Sequence, residues 1–195
     1  MLFRSDRTMA AFGRIDVLVA AAGVANASYV SGDDASGTGF RPVLQQPLAD
    51  WERVLAVNLT GVMLSDRAVA ARMIEAGNGG AIVNIASSAA VIPLRGGADY
   101  CVSKAGVAML TKVLALELVG HGIRVNAIGP GFIETPMTAG MRNDPAGEAA
   151  MKRMTPMRRL GVADEIASTA LFLASAESSY ITGQLLFPNG GMFVG

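Results

Sequence analysis

Three short apolar runs constrain this chain more than any other feature: Ile15 to Ala20 (IDVLVA), Ala81 to Ala86 (AIVNIA) and Ile123 to Ile128 (IRVNAI). None has a helical period, and each is too short for a helix of ordinary length. They read as strands buried on both faces, the pattern of a parallel sheet. Long helical patterns separate them. Trp51 to Ala76 follows a helix-start signal at Pro47 to Asp50, with Asp50 placed to cap, and its stripe is Val54, Asn58 and Val62. Ala98 to Val119 carries a stripe of Val102, Ala105, Met109, Val113 and Leu116, widened by Leu110, Leu114 and Leu118. A helix so widely apolar is expected against the sheet, with room for a partner subunit. Val162 to Ala174 turns Ile166, Ala170 and Leu173 inward, and Gln184 to Phe187 is a last short strand. Strands alternating with helices predict an α/β fold with a parallel sheet and right-handed crossovers. No linker divides the 195 residues, so residues 1–195 are expected to form a single domain.

Two segments stand outside this alternation. Asn26 to Gln46 is long, polar and rich in Ser, Gly and Asp, which marks a surface loop of functional kind. Met141 to Arg159 is methionine-rich with a weak helical pattern, expected as a mobile helical flap. Its methionines suit either an adaptable ligand surface or core filling.

Charge excludes several classes. Lys plus Arg and Asp plus Glu both number 16, with no basic block, so a nucleic-acid footprint is not expected. The apolar runs are broken short of a membrane span, and the start of the chain has no signal-peptide core. The single Cys101 allows no intramolecular disulfide and no multi-cysteine metal site, and no metal is expected. These features suit the cytoplasm. The single His121, before Gly122, fits the C-terminal end of a helix. A Ser-His-Asp hydrolase would depend on it, and no nucleophile elbow is present.

The candidate chemistry begins at Tyr100-Cys101-Val102-Ser103-Lys104. Tyrosine and lysine four apart share one helix face. An ammonium near a phenol favours the phenolate and lowers its pKa, which would let Tyr100 exchange a proton with an alcohol or ketone oxygen. Alone, the pair also fits a solvated helix face. Ser87 and Ser88 stand at the carboxyl end of the second run, where α/β sheets bind ligands, though lone serines there also form turns. Asn58, amid an apolar stripe, needs hydrogen-bond partners, in a structural or a functional role. The small residues Ala20-Ala21-Ala22-Gly23 after the first run allow close approach to the backbone.

In this order and at these separations the residues resemble the short-chain dehydrogenase/reductase family, from about Gly13 to Gly191. Its Tyr-x-x-x-Lys matches Tyr100 and Lys104. Its serine, thirteen residues before the tyrosine, matches Ser87, with Ser88 the weaker choice. Its mid-helix asparagine, in a segment like VNLTG, matches Asn58, and its Pro-Gly-x-x-x-Thr matches Pro130, Gly131 and Thr135. RLGVADEIA and YITGQLLFPNGG are also similar to family segments.

The resemblance implies a Rossmann-like doubly wound parallel sheet and NAD or NADP as cofactor. The implied reaction interconverts a secondary alcohol and a ketone by hydride transfer. Tyr100 would move the proton, Ser87 would hold the substrate oxygen, and Lys104 would tune the tyrosine and bind the nicotinamide ribose. Asn58 would position a relay water. Ala20, Ala22, Gly23, Tyr100, Lys104, Pro130, Gly131, Ile133 and Thr135 would line the cofactor site. The two long helices would pair subunits into a homo-oligomer, a dimer or tetramer when intact. The substrate pocket would be lined by the Ala89 to Asp99 loop, the loop after Gly23 and the methionine-rich flap. Arg95 would be either a solvated arginine or an attractor of anions.

Three departures qualify this. The family's Asn-Asn-Ala-Gly is here Ala20-Ala21-Ala22-Gly23. Asn189 stands where aspartate is frequent. The opening Thr-Gly-x-x-x-Gly-x-Gly turn, which brings a helix N-terminus to the pyrophosphate, does not occur. The run at Ile15 resembles the fourth strand of a sheet ordered 3-2-1-4-5-6-7. The expectation is therefore an N-terminally truncated sheet lacking its first three strands, with a bare apolar edge and weak or no dinucleotide binding. The alternative function is an inactive fragment or non-catalytic remnant that retains the oligomerisation helices.

Overall fold

The computed structural model describes residues 2–25 and 42–195. Helix α1 (Leu2–Phe12) leads into strand β1 (Val17–Ala20). Helix α2 (Leu48–Ala76) is followed by β2 (Gly80–Ile85), α3 (Ala98–Leu118) and β3 (Ile123–Ile128). Two short helices, α4 (Ala139–Asn143) and α5 (Pro145–Met154), precede α6 (Ala163–Ala174) and the two-residue β4 (Leu185–Leu186). The four strands pair in parallel, in the order β1-β2-β3-β4.

Alternation along β2 divides the packing between two faces. Ile82, with Val125 beside it, packs against Val69, Ala70 and Met73 of α2 and Ala115 and Leu118 of α3. Val83 and Ile128 point the other way and meet Leu173, Ile166 and Ala170 of α6. The sheet is doubly wound, as expected. One expectation about its connections fails. The strands advance in one direction throughout, yet the first two crossovers lie over one face and the third over the opposite face. The third therefore has the opposite hand to the other two, against the right-handed norm.

Two local expectations are also corrected. The stripe Val102, Ala105, Met109, Val113 and Leu116 faces outward, and Leu116 is 81% exposed. The buried face of α3 is instead Ser103, Lys104, Val107, Thr111, Ala115 and Leu118. Gly106 lets α2 come close, since a Cβ there would stand 2.8 Å from Leu59 Cδ2. In β1, Val17 and Val19 are 42% and 44% exposed rather than buried on both faces. Helix α6 covers β2 and β3 but not this outer strand, and the far edge of β1 has no pairing strand among the described residues.

Helix α2 starts at Leu48, with Pro47 at the cap position and Asp50 inside the first turn. By length and composition it could cross a membrane. Here it packs on the sheet and buries polar groups, among them Asp66. Asp66 Oδ2 accepts from Asn84 Nδ2 at 3.0 Å, and the same amide donates to Thr111 Oγ1 at 3.1 Å. Asp66 Oδ1 and Asn84 Oδ1 have no hydrogen-bond partner among the described residues. Burial pushes the Asp66 carboxyl up to about 7, with the Asn84 bond opposing.

A carboxyl raised on folding binds more protons in the native than in the unfolded chain. Its stabilising contribution is complete below its unfolded value of 3.8 and is lost as pH rises through about 7. Asp66→Asn removes the charge and keeps the shape. It is expected to stabilise the fold by ~2–4 kcal/mol more at about pH 8 than at about pH 4. Urea unfolding curves at the two pH values check this.

Candidate active site

The carboxyl ends of β1, β2 and β3 open into a cavity of about 530 Å³. Four side chains from three elements converge beside it. Asn58 lies in α2 where the helix widens to a π turn over Ala56–Thr60, and it is fully buried. Its amide accepts from the Val24 N–H and donates to the Val24 carbonyl, both at 2.8 Å, and donates to Ser103 Oγ at 3.1 Å. That consumes the amide hydrogens and fastens the chain after Gly23 to α3.

Ser87 follows β2 in extended conformation. Its hydroxyl accepts from the Ala89 N–H at 3.1 Å and is hydrogen-bonded to the Tyr100 side chain. Ser88 is buried and donates to the Gly129 carbonyl at 3.2 Å. Its hydroxyl is committed to the fold, so Ser87 is the serine that meets the tyrosine.

Lys104 donates to the Ile85 carbonyl at 2.8 Å. Strand β1 ends at Ala20 opposite Asn84, so that carbonyl lies one residue beyond the pairing and the ammonium takes the place of a strand donor. Burial lowers the Lys104 pKa to about 8. Its ammonium sits 5.8 Å from the centre of the Tyr100 ring. The expected lowering of the tyrosine does not result. Burial holds the Tyr100 phenol above its usual value of 10.0, the Ser87 bond pulls it down, and Cys101 adds a smaller upward push. Desolvation of the phenolate outweighs an ammonium directed at a carbonyl.

Of the proposed cofactor contacts, Gly23, Tyr100, Lys104, Pro130, Gly131, Ile133 and Thr135 line the cavity. Ala20 and Ala22 do not, while Val19 and Ala21 do, because alternate residues face alternate sides. Ala20 joins Val62, Val107 and Ala127 in the core instead. The long loop after Gly23 falls mainly outside the described residues. From the Ala89 to Asp99 loop, Ala89, Ile92 and Leu94 line the cavity, and Arg95 is exposed and does not. The methionine-rich segment is helical, as α4 and α5. It fills both roles weighed for it: Met151 is fully buried, whereas Met141 lines the cavity.

A support for the site was missed in the sequence. Arg159 grips Glu165 with two hydrogen bonds of 2.9 and 2.6 Å, and Glu165 also accepts from the Val162 N–H at 2.9 Å. These contacts, Arg159 first, hold the exposed Glu165 carboxyl down to about 2. The clasp secures Gly161, whose N–H donates to the Phe132 carbonyl and whose carbonyl accepts from the Glu134 N–H, both at 2.9 Å. Residues 132 and 134 thereby turn toward Gly161, and the Ile133 N–H has no partner among the described residues. The signal was present in RLGVADEIA, as an arginine and a glutamate flanking a helix start.

The residues fit the nicotinamide-ribose half of a dinucleotide. Among the described residues the Ile133 N–H is an unpaired donor, on a residue that lines the cavity, and Lys104 uses one of three N–H groups on Ile85. A parallel α/β sheet carrying this cluster at its carboxyl edge belongs to the dehydrogenase class.

Known proteins make the class specific. A family model described as enoyl-(acyl carrier protein) reductase matches residues 5–193. The 3beta-hydroxysteroid dehydrogenase 1 of Eggerthella lenta is 41% identical over 187 residues, covering 96% of this chain and 67% of that protein. A crystal structure of a gluconate 5-dehydrogenase from Burkholderia cenocepacia, in complex with NADP and tartrate, matches with a TM-score of 0.87 and 34% identity, covering 98% of this chain and 69% of that one. A short-chain type dehydrogenase/reductase from Mycobacterium marinum matches with a TM-score of 0.87 and 32% identity, covering 100% of this chain and 73% of that one. The chain belongs to the short-chain dehydrogenase/reductase family, whose members are NAD(P)-dependent oxidoreductases. It spans about two thirds of the length of these relatives.

Proposed function

We propose that this site interconverts a secondary alcohol and a ketone with a nicotinamide cofactor. The observation that carries the reading is the hydrogen bond between Ser87 and Tyr100 at the cavity wall, beside the buried Lys104. A ketone oxygen placed between the two hydroxyls accepts from both. Tyr100, held protonated by burial, gives up its proton to that oxygen as the alcohol forms, and Ser87 stabilises the developing charge. The cofactor supplies or accepts the hydride. Lys104 has two N–H groups left for ribose hydroxyls, and the Ile133 N–H can hold the carboxamide.

The hydrogen bonds of Asn58 favour a positioning role for it. Both amide hydrogens go to Val24 and Ser103, and a relay water would meet this amide only by donating to Oδ1. A spectrophotometric screen of secondary alcohols with NAD and NADP, and of ketones with the reduced forms, tests the reading. Absence of turnover on every member at saturating cofactor would overturn it.

The outward stripe of α3 supports a homo-oligomer. Met109 and Leu116 are 59% and 81% exposed, with Val102 and Val113 beside them. A row of apolar side chains of this length gains by burial against a second copy. Leu116→Glu is expected to shift the chain to monomer with its fold retained, as read by light scattering and circular dichroism.

A further inference from the structure

The cavity lining points past the reaction to the kind of substrate, and this step rests on the alcohol–ketone reading above. Lys104 is the one charged side chain among the described lining residues; it donates to the Ile85 carbonyl, and its other N–H groups are assigned above to the cofactor ribose. Arg95 is exposed and lies outside the lining, and Arg142 reaches toward Glu134 at 3.9 Å. No cation in this part of the wall faces a substrate carboxylate or phosphate.

The polar groups are equally restricted. Ser88 donates to the Gly129 carbonyl. Thr138 donates to the Ile133 carbonyl at 2.7 Å. Ser87 and Tyr100 are needed by the reacting oxygen. Thr135 and the Ile133 N–H also line the cavity, on the part assigned above to the cofactor; the apolar part of the wall includes Ile92, Leu94, Met137, Met141 and Met192. These side chains come from three separate stretches of the chain: the loop after β2, the segment after β3, and the tail after β4. Methionine is unbranched and adapts to irregular apolar shapes.

We infer that the site selects substrates with one reacting oxygen on an uncharged hydrocarbon body, with Met137, Met141 and Met192 as its conforming wall. A further hydroxyl buried against this wall without a partner costs about 10- to 100-fold in binding. Polyols and sugar acids carry several such groups.

The test reads binding without turnover. The chain is labelled at its methionine methyl groups, and the signals of Met137, Met141 and Met192 are assigned by single Met→Leu substitutions. Decalone is the apolar probe, and threitol and gluconate are the polar ones. Decalone is expected to shift the three signals saturably, at a concentration at least ~10-fold below either polar probe. The core signals of Met73 and Met151, both fully buried, should stay in place. Met141→Asn should raise the half-saturating decalone concentration by ~10-fold while the Met73 and Met151 signals hold. Saturation by threitol or gluconate at the lower concentration overturns the inference. So does decalone leaving the three signals unmoved up to its solubility limit. Decalone binding with no turnover of any alcohol or ketone would overturn the proposed reaction and leave this inference standing. Turnover of threitol without decalone binding would do the reverse.

Discussion

Tyr100→Phe lowers ketone reduction by about 10²–10⁴-fold while the fold stays intact, the range expected for losing a positioned general acid. The substitution deletes one oxygen. The ring keeps its place in α3, since Phe fills the same space and the backbone N–H of residue 100 still bonds Asp99 Oδ1 at 2.7 Å. What disappears is the hydroxyl bonded to Ser87 and the proton destined for the substrate oxygen. The loss should fall on kcat more than on KM, because the proton matters most as charge develops on oxygen. The rate should also hold through neutral and mildly alkaline pH in the unsubstituted chain, since burial keeps the phenol above its usual value and therefore protonated. Turnover is measured with excess reduced nicotinamide, beside circular dichroism of both forms. Unchanged kcat in the Phe variant would remove Tyr100 from the chemistry. Ser87→Ala is a useful companion: it should lose rate and move the phenol further upward, because the one bond pulling it down is gone.

The alternation of strands and helices was legible because buried parallel strands write continuous apolar runs, and the site was legible because Tyr100, Lys104, Ser87 and Asn58 stand at fixed separations. The face of α3 was not. Periodicity finds the most apolar stripe, and here that stripe faces outward. The buried face carries Ser103, Lys104 and Thr111 because it must serve the cavity and the Asp66–Asn84 pair. A polar helix face turned inward looks solvated in sequence. The hand of the third crossover was hidden for another reason: segment order is the same whichever face of the sheet a helix crosses. The tyrosine shift was misjudged because spacing along α3 says nothing of where an ammonium points. Lys104 points at Ile85, a residue brought near by the end of β1 and by no helical period.

The cofactor half-site leads to the second large effect. NADH and reduced nicotinamide mononucleotide should bind this chain with affinities within about threefold of each other, both in the millimolar range. Among the described residues the donors include Lys104, the Ile133 N–H and the Thr135 hydroxyl, which serve the ribose and the carboxamide. These parts are common to both molecules. The pyrophosphate of a dinucleotide ordinarily gains from a helix N-terminus behind a Gly-rich turn, and the sequence contains no such turn. Without one, the adenylate half is expected to add few contacts with the described residues. NADPH should match NADH for the same reason, since its extra phosphate lies on the adenosine ribose. Titration of cofactor fluorescence, with circular dichroism to confirm a folded chain, reads all three affinities. A dinucleotide bound at micromolar concentration, at least ~100-fold tighter than the mononucleotide, would refute the half-site picture. It would mean that phosphate-binding groups come from elsewhere, and the next measurement would be the concentration dependence that reveals a second copy supplying them.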